Sequence, residues 1–426
     1  MFFLAGLFFI AFLLSYFVPP RRVLEPQLKS GLTVWQPEEG IIPLSGEWEY
    51  MAGMLNTSGW EDASYATLPG TWEGNRFGYG SYRSIIDGID PAAEYGLLLP
   101  YQATAYRLYL DGDLIVSNGT VGINRPSSVP KYFPETFYFI PSKSSAELVL
   151  QVSNFHHRRG GPFQTIYFGE RQKVERMESG NVVRDWVFVI MFATMSLYQF
   201  AFLIVRKHRT GLYLALFFLF VSINGMIGTP EVLIFRIFPD FPWALYQKLC
   251  YYVSYITPIW LVLFVSTLYG GVSRKTVAAL CLPFVAIALF VTVTPSYIFS
   301  VLNEPFQVYT VFIISVVLAM LITAFRKKLP GTKAILLGFV VLIGSMYGGI
   351  FFSNNRITNV PFLPLSFLKY YDVSLFSRKC WIGSRCNLRV YYGLKVLFPG
   401  YGHFKLHPLV GAFAVELLQH QIDSFA

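Results

Sequence analysis

His156-His157-Arg158-Arg159-Gly160-Gly161 is the most polar point of residues 31–168. Guanidinium forks and imidazoles on a glycine-flexible loop suit sugar hydroxyls or an anion. The same residues also suit a solvated loop that closes one end of a sandwich. Adjacent histidines on an extended segment point to opposite faces, so no metal site is expected there. Trp48 and Trp72 have faces on which sugar rings stack, or bulk that fills a core; Trp48 reads as core, and Trp72, which follows a turn, stays open. Arg83 is a ligand donor or an ion-pair partner. The candidate ligand-binding set is therefore Trp72, Arg83, His156, His157 and Arg158. Glu47/Glu49 and Asp111/Asp113 have the look of glycosidase carboxylates, but each pair has a strand-edge or turn explanation. No catalytic residue, metal or cofactor is expected.

The elements that must hold these residues are short strands. Ala105-Tyr106-Arg107-Leu108-Tyr109-Leu110 alternates with period two, Asp111-Gly112-Asp113 interrupts it, and Leu114-Ile115-Val116 resumes. Asp-Gly between alternating runs predicts a hairpin, because glycine accepts the positive φ of a tight turn. Further strands are expected at Glu47–Ala52, Glu94–Leu99, Thr136–Ile140, Glu147–Ser153 and Thr165–Phe168. Many short strands with regular turn signals predict an antiparallel sandwich or jelly roll. Glu170–Glu178 has helical spacing and mixed charge, as in a transmission helix or a solvated linker.

The rest of the chain is of another kind. Of 426 residues, 54% are hydrophobic and only 14% charged, against about 25% charged in a soluble domain, which argues against a cytosolic enzyme. Six apolar runs are long enough to cross a bilayer: Trp186–Val205, Gly211–Thr229, Tyr246–Tyr269, Val277–Phe299, Val308–Phe325 and Ala334–Ser353. A shorter seventh, Pro361–Phe376, is interrupted by Lys369 and Asp372. Alternate loops hold nine Lys or Arg, including Arg206, Lys207, Arg209, Arg274, Lys275 and Arg326–Lys328, against three on the other side (Arg236, Lys248, Arg356). The positive-inside bias then puts residues 23–184 outside the cytoplasm and the C-terminus inside. Residues 23–184 carry 13 Lys or Arg against 18 Asp or Glu, and residues 185–426 carry 19 against 7. No basic, aromatic-interleaved run sits in a polar segment, so nucleic acid is not an expected partner.

Most spans lack charge at mid-membrane, which argues against an ion-coupled transporter. Gly344-x-x-x-Gly348 fits a close helix contact, and Pro258 and Pro283 are expected to kink their helices. Cys250 and Cys281 lie in apolar runs as small hydrophobes. Cys380 and Cys386 lack the companions of a zinc site. Met1–Val18 reads as a signal peptide or an uncleaved anchor.

Several motifs in order carry a resemblance. They are Leu44-Ser45-Gly46-Glu47-Trp48-Glu49-Tyr50, Leu68-Pro69-Gly70-Thr71-Trp72, Gly78-Tyr79-Gly80-Ser81-Tyr82-Arg83, the Tyr106–Val116 hairpin into Asn118-Gly119, and Val152-Ser153-Asn154-Phe155-His156. The series resembles the galactose-binding-like jelly roll of family 2 glycosidases. Ahead of a seven-span bundle, it resembles the bacterial seven-transmembrane receptors with diverse intracellular signalling modules. The expected fold is an α+β membrane protein, an extracytoplasmic antiparallel β jelly roll followed by a seven-helix transmembrane bundle. The expected divisions are 1–20 (signal peptide or anchor), 30–169 (sensor sandwich), 170–184 (juxtamembrane linker), 185–376 (bundle) and 377–426 (a short basic cytoplasmic tail whose composition fits a frameshift or truncation).

The resemblance implies a receptor of the inner membrane that senses an extracytoplasmic small molecule or carbohydrate and passes a conformational change inward. Membrane lipid and a separate cytoplasmic signalling protein are the implied partners. The other reading is a membrane-bound enzyme or accessory protein of envelope glycans that uses the jelly roll to hold polysaccharide.

Overall fold

In the computed structural model, which describes residues 28–36, 40–72, 76–206, 209–229 and 231–339, two sheets enclose one apolar core. The first sheet contains β1 (Leu32–Val34), β3 (Gly46–Ala52), β4 (Ser64–Leu68), β5 (Gly78–Asp87), β7 (Ala105–Leu110), β8 (Asp113–Asn118) and β10 (Ser145–Asn154). Its order is β4-β3-β5-β10-β7-β8, with β1 also pairing β5. The second sheet contains β2 (Ile41–Pro43), β6 (Tyr95–Leu99), β9 (Glu135–Phe139) and β11 (Tyr167–Glu170), in the order β2-β11-β6-β9. Pairing is antiparallel except for β1, which runs parallel to β5. The expected antiparallel sheets are present, and β1 alone runs parallel, entering beside β5 in β5's own direction.

Period-two alternation decides which side chains fill the core. Along β10, Ala146, Leu148, Leu150 and Val152 point inward and are fully buried. Trp48, Tyr82, Tyr106, Leu97 and Phe168 complete the same cluster. Trp48 is buried and its indole donates to the Leu44 carbonyl at 3.2 Å, which removes the cost of an unmet polar group. Asp111 and Gly112 have φ of 50° and 92°, the geometry that lets a two-residue turn follow the twist of β7 and β8.

Residues after β11 form one unbroken helix, α1 (Arg171–Arg206), rather than a linker followed by a span. Val174 on its first turns is fully buried. It packs on Gly96 of β6, where a Cβ would stand 3.1 Å from both Val174 Cβ and the Tyr138 ring. The Arg171 amide donates to the Glu94 carbonyl at 3.0 Å, and the two side chains form an ion pair. Gly96→Val is expected to overpack this seam and cost about 1–3 kcal/mol. A thermal melt of the variant, alone and with Val174→Ala, checks this: Val174→Ala should restore part of the loss, and a wild-type melting temperature for Gly96→Val alone would show that α1 does not rest on the sheet.

The membrane helices follow as α2 (Arg209–Ile227), α4 (Trp243–Tyr269), α5 (Arg274–Val293) and α7 (Asn303–Arg326). Two short helices, α3 (Leu233–Ile237) and α6 (Ser296–Phe299), fill the turns before α4 and after α5. Among the described residues, five helices are long and apolar enough to cross a membrane. The fourth span was expected as one run to Phe299; it breaks after Val293, with α6 beginning beyond Pro295, since proline has no amide hydrogen to continue the ladder. Pro258 and Pro283 lie inside α4 and α5.

The Ser222 hydroxyl donates to the Val189 carbonyl and that of Ser196 to the Ala215 carbonyl, both at 2.9 Å. Gly225 abuts Phe188 and Val189, so α1 and α2 pack through small and hydroxyl residues. Phe284, Phe299, Phe306, Val317 and Leu321 form the bundle core, while Leu282, Leu289 and Val293 face outward, as lipid-facing side chains do. Helix resumes over residues 332–339. Most of the sixth expected span, the whole seventh, Gly344 and Gly348, Cys380 and Cys386, the tail and the N-terminal run lie outside the described residues.

Candidate functional site

The segment after β10 is where the two halves meet. The Asn154 side chain is buried, and its carboxamide shapes the turn: Nδ2 donates to the carbonyls of Arg76 and His157 at 2.7 Å each, and Oδ1 accepts from the amides of His156 and His157. This side-chain-to-backbone bonding is what Asn does well in turns. The turn reverses the chain at the end of the sandwich and presents residues 156–159 to the N-terminal parts of α4 and α7 and to α6.

The contacts are direct and polar. The Arg158 amide donates to Ser300 Oγ at 3.0 Å, and its guanidinium pairs with Glu304 Oε1 at 3.0 Å. Ser296 Oγ donates to the His156 carbonyl at 2.8 Å. His157 Nδ1 accepts the Arg159 amide at 3.3 Å, which leaves the ring proton on Nε2, 3.4 Å from the Tyr251 hydroxyl. Burial, with the charges of Arg158 and Arg159, holds this imidazole well below its ordinary pKa, so it is neutral at pH 7. His156 Nε2 lies 2.9 Å from the Ser128 carbonyl, and its ring meets Trp243 edge-on at 6.1 Å.

A second loop from the sandwich, residues 119–134, reinforces the joint. The Arg125 guanidinium lies 3.9 Å from the ring centroid of Tyr297 and donates to the Phe155 carbonyl at 3.1 Å. The Asn118 carboxamide donates to the Phe133 carbonyl and fixes the loop's return. Tyr132 is the apolar anchor: it is 3% exposed and shares a cluster with Ile227, Val232, Ile234, Phe235, Tyr246 and Val253 of the bundle. Its ring stacks on Tyr101 at 4.4 Å and meets Trp243 at 5.7 Å, nearly perpendicular. A third apolar cluster, distinct from the sandwich core and the main bundle core, therefore ties this loop to the helices.

The five candidates read from sequence divide. His156, His157 and Arg158 come together at this joint, bonded to the bundle. Trp72 stands behind them: its amide donates to the Gly160 carbonyl at 3.0 Å and its indole to the Tyr82 hydroxyl at 2.6 Å. It is half-buried against the sandwich core, so the face that stacking on a sugar requires is largely occupied. Arg83 is elsewhere. It pairs with Glu49 and, at 3.4 Å, with Glu147, and lies 5.2 Å from the Trp60 ring centroid. Its pairing partner in β10 is Val149, five residues from the Asn154 end, about 17 Å along the strand at 3.4 Å per residue. The hydrogen bond that it donates to Glu49 raises its pKa further. Arg83 is thus the ion-pair partner of the two open readings.

Sequence reasoning did not single out Tyr101, Tyr132, Ser296, Ser300 or Glu304. The available signal was weak: Tyr101-Gln102 follows Pro100, and Glu304 is an acid at the edge of an apolar run, opposite in sign to the Arg158-Arg159 loop. Among the described residues, no group of three or more His, Cys, Asp or Glu stands close enough to hold a metal.

One family model covers the helical half. Residues 183–376 match the family model described as 7TM diverse intracellular signalling. No curated protein matches the chain. Among solved structures, the chain is similar to a GH2 β-galacturonidase from Eisenbergiella tayi bound to galacturonate, at 17% identity and a TM-score of 0.24, over 30% of this chain and 24% of that one. It is also similar to a β-glucuronidase from Bacteroides uniformis, at 15% identity and a TM-score of 0.25, over 30% of this chain and 17% of that one. A third is a β-glucuronidase from an uncultured Clostridium species, at 12% identity and a TM-score of 0.25, over 35% and 31%. The chain spans about a quarter of the length of the first of these. A β-rich domain of two sheets precedes membrane-capable helices, and the segment 183–376 matches the model of the 7TM diverse intracellular signalling family.

Proposed function

We propose that the chain is a membrane sensory receptor in which the jelly roll is the extracytoplasmic sensor and the loop 155–161 transmits its state to the helices. The observation that carries this reading is the joint itself. Backbone groups of the turn after β10 bond to Ser296 and Ser300, and Arg158 is tied to Glu304 at the start of α7. α7 runs from that salt bridge to Arg326 as one helix. A shift of the loop that favours one arrangement of α7 over another is all that ligand binding needs in order to bias the bundle. The chain then acts by binding and coupling, with no catalytic set of its own.

The charge asymmetry of the loops supports the orientation: jelly roll outside an inner membrane, basic loops in the cytoplasm. A reporter active only outside the cytoplasm should be active when fused after Lys173 and silent after Lys328, and the reverse pattern would refute the orientation. The receptor reading is tested on the full chain in nanodiscs, screened against small molecules and envelope glycans. The expected result is saturable binding that changes amide exchange near Tyr269 or Arg326, at the ends of α4 and α7, with the ligand recovered intact. Turnover of a glycan would establish the enzyme reading instead, and binding that leaves the helices unchanged would remove the coupling.

A further inference from the structure

The loop 155–161 brings two guanidiniums to the joint, Arg158 and Arg159, and one carboxylate, Glu304, pairs there. Glu304 is taken by Arg158. Arg159 has no carboxylate partner among the described residues, and its side chain makes no hydrogen bond to any of them; the guanidinium lies over the Phe163 ring at 5.2 Å. Arg159 is half-buried, with Tyr101, Tyr132 and Tyr251 close enough to act on its charge. Burial first, and Arg158 second, bring its pKa down to about 10, so it remains a cation at neutral pH. An enclosed charge without a counter-ion is costly to the free protein, and His157 beside it is neutral.

The surroundings supply more than charge. The Tyr132 hydroxyl is buried with no partner among the described residues. Tyr101 meets Phe163 edge-on at 5.8 Å and stacks on Tyr132. Flat rings therefore flank Arg159, with one guanidinium fork and one unused phenol. A guanidinium fork matches the two oxygens of a carboxylate, and one uncompensated charge calls for a monoanion. We propose that a small carboxylate ligand with a flat apolar body binds where the jelly roll meets the bundle, its carboxylate held by Arg159. The site draws its walls from both halves, so occupancy would bear on the joint. That consequence rests on the receptor reading, whereas the binding does not.

The test uses the full chain in phosphatidylcholine nanodiscs at fixed ionic strength, with Trp243, whose ring meets that of Tyr132 at 5.7 Å, contributing to the tryptophan emission. Benzoate is compared with benzamide, its neutral analogue. Benzoate should half-saturate the response at a concentration roughly tenfold or more lower, the worth of one charge-assisted hydrogen bond. Arg159→Gln should abolish that preference and leave the ligand-free melting temperature unchanged or raised. Arg159→Lys should retain part of it. Equal response to both probes, or a preference that survives in Arg159→Gln, overturns the proposal. A marked fall in the ligand-free melting temperature of Arg159→Gln also overturns it, because the arginine would then be holding the joint together. Phosphatidylglycerol nanodiscs separate the other source of an anion: if that lipid alone gives the full response and blocks benzoate, the occupant is a headgroup and not a mobile ligand. None of these failures touches the exchange experiment above, which tests coupling by itself.

Discussion

Replacing Tyr132 with alanine should loosen the sandwich from the bundle while leaving each folded. The ring is buried among residues of both halves, and it belongs to neither the sandwich core nor the main bundle core. Truncating a buried aromatic residue to alanine costs about 3–5 kcal/mol. Here the cost falls on the joint. Amide exchange should quicken in α3, at the outer end of α4 and in residues 119–134 and 155–161, whereas β5 and β10 keep their protection. Tyr132→Phe is the control: the hydroxyl has no partner to lose, so the ligand-free protein should be unchanged or slightly more stable. If exchange quickened uniformly through the β strands of Tyr132→Ala, the ring would be part of the sandwich core and the bridging role would be wrong.

The second large effect is expected at Gly160. A Cβ there would stand 2.4 Å from Trp72 Cε3 and 2.5 Å from the Arg76 carbonyl oxygen. The backbone oxygen cannot swing aside as a flexible side chain would, so the loop itself must move. Overpacking of this kind costs about 1–3 kcal/mol. The displacement acts on residues 156–159, which carry the bonds to Ser296, Ser300 and Glu304. A double-mutant cycle measures the link. Glu304→Gln should cost less in the Gly160→Ala background than in the wild type, because the salt bridge is already weakened. Independent, additive costs would mean that Gly160 packs on Trp72 without setting the position of Arg158.

Both predictions depend on contacts between segments more than eighty residues apart, and that separates what was legible from what was not. The Asp111-Gly112 hairpin, the inward set of β10 and the long apolar helices follow from local rules: two-residue periodicity, glycine's tolerance of positive φ, and the length needed to cross hydrocarbon. These properties are local to the chain, so the fold class and the resemblance to a known receptor architecture were readable in advance. The parallel entry of β1 beside β5 was not, since nothing in Leu32–Val34 specifies its neighbour.

The role of the His156–Arg159 loop was not legible either. From composition, its guanidiniums and imidazoles suit a ligand or an anion, and a solvated turn better still. What the structure adds is Ser296, Ser300 and Glu304, which a turn after Val293 brings to the loop. Arg83 shows the same limit from the other side: a strand places it at one register, and only the pairing of β3 and β10 with β5 brings Glu49 and Glu147 to it. The sequence by itself determined the two architectures and their order along the chain, because hydrophobic periodicity is a property of neighbours. The tertiary structure alone decided which charges are matched, because a counter-ion is supplied by whatever segment folding places within a few ångströms, and the Coulomb term depends on that distance and on burial.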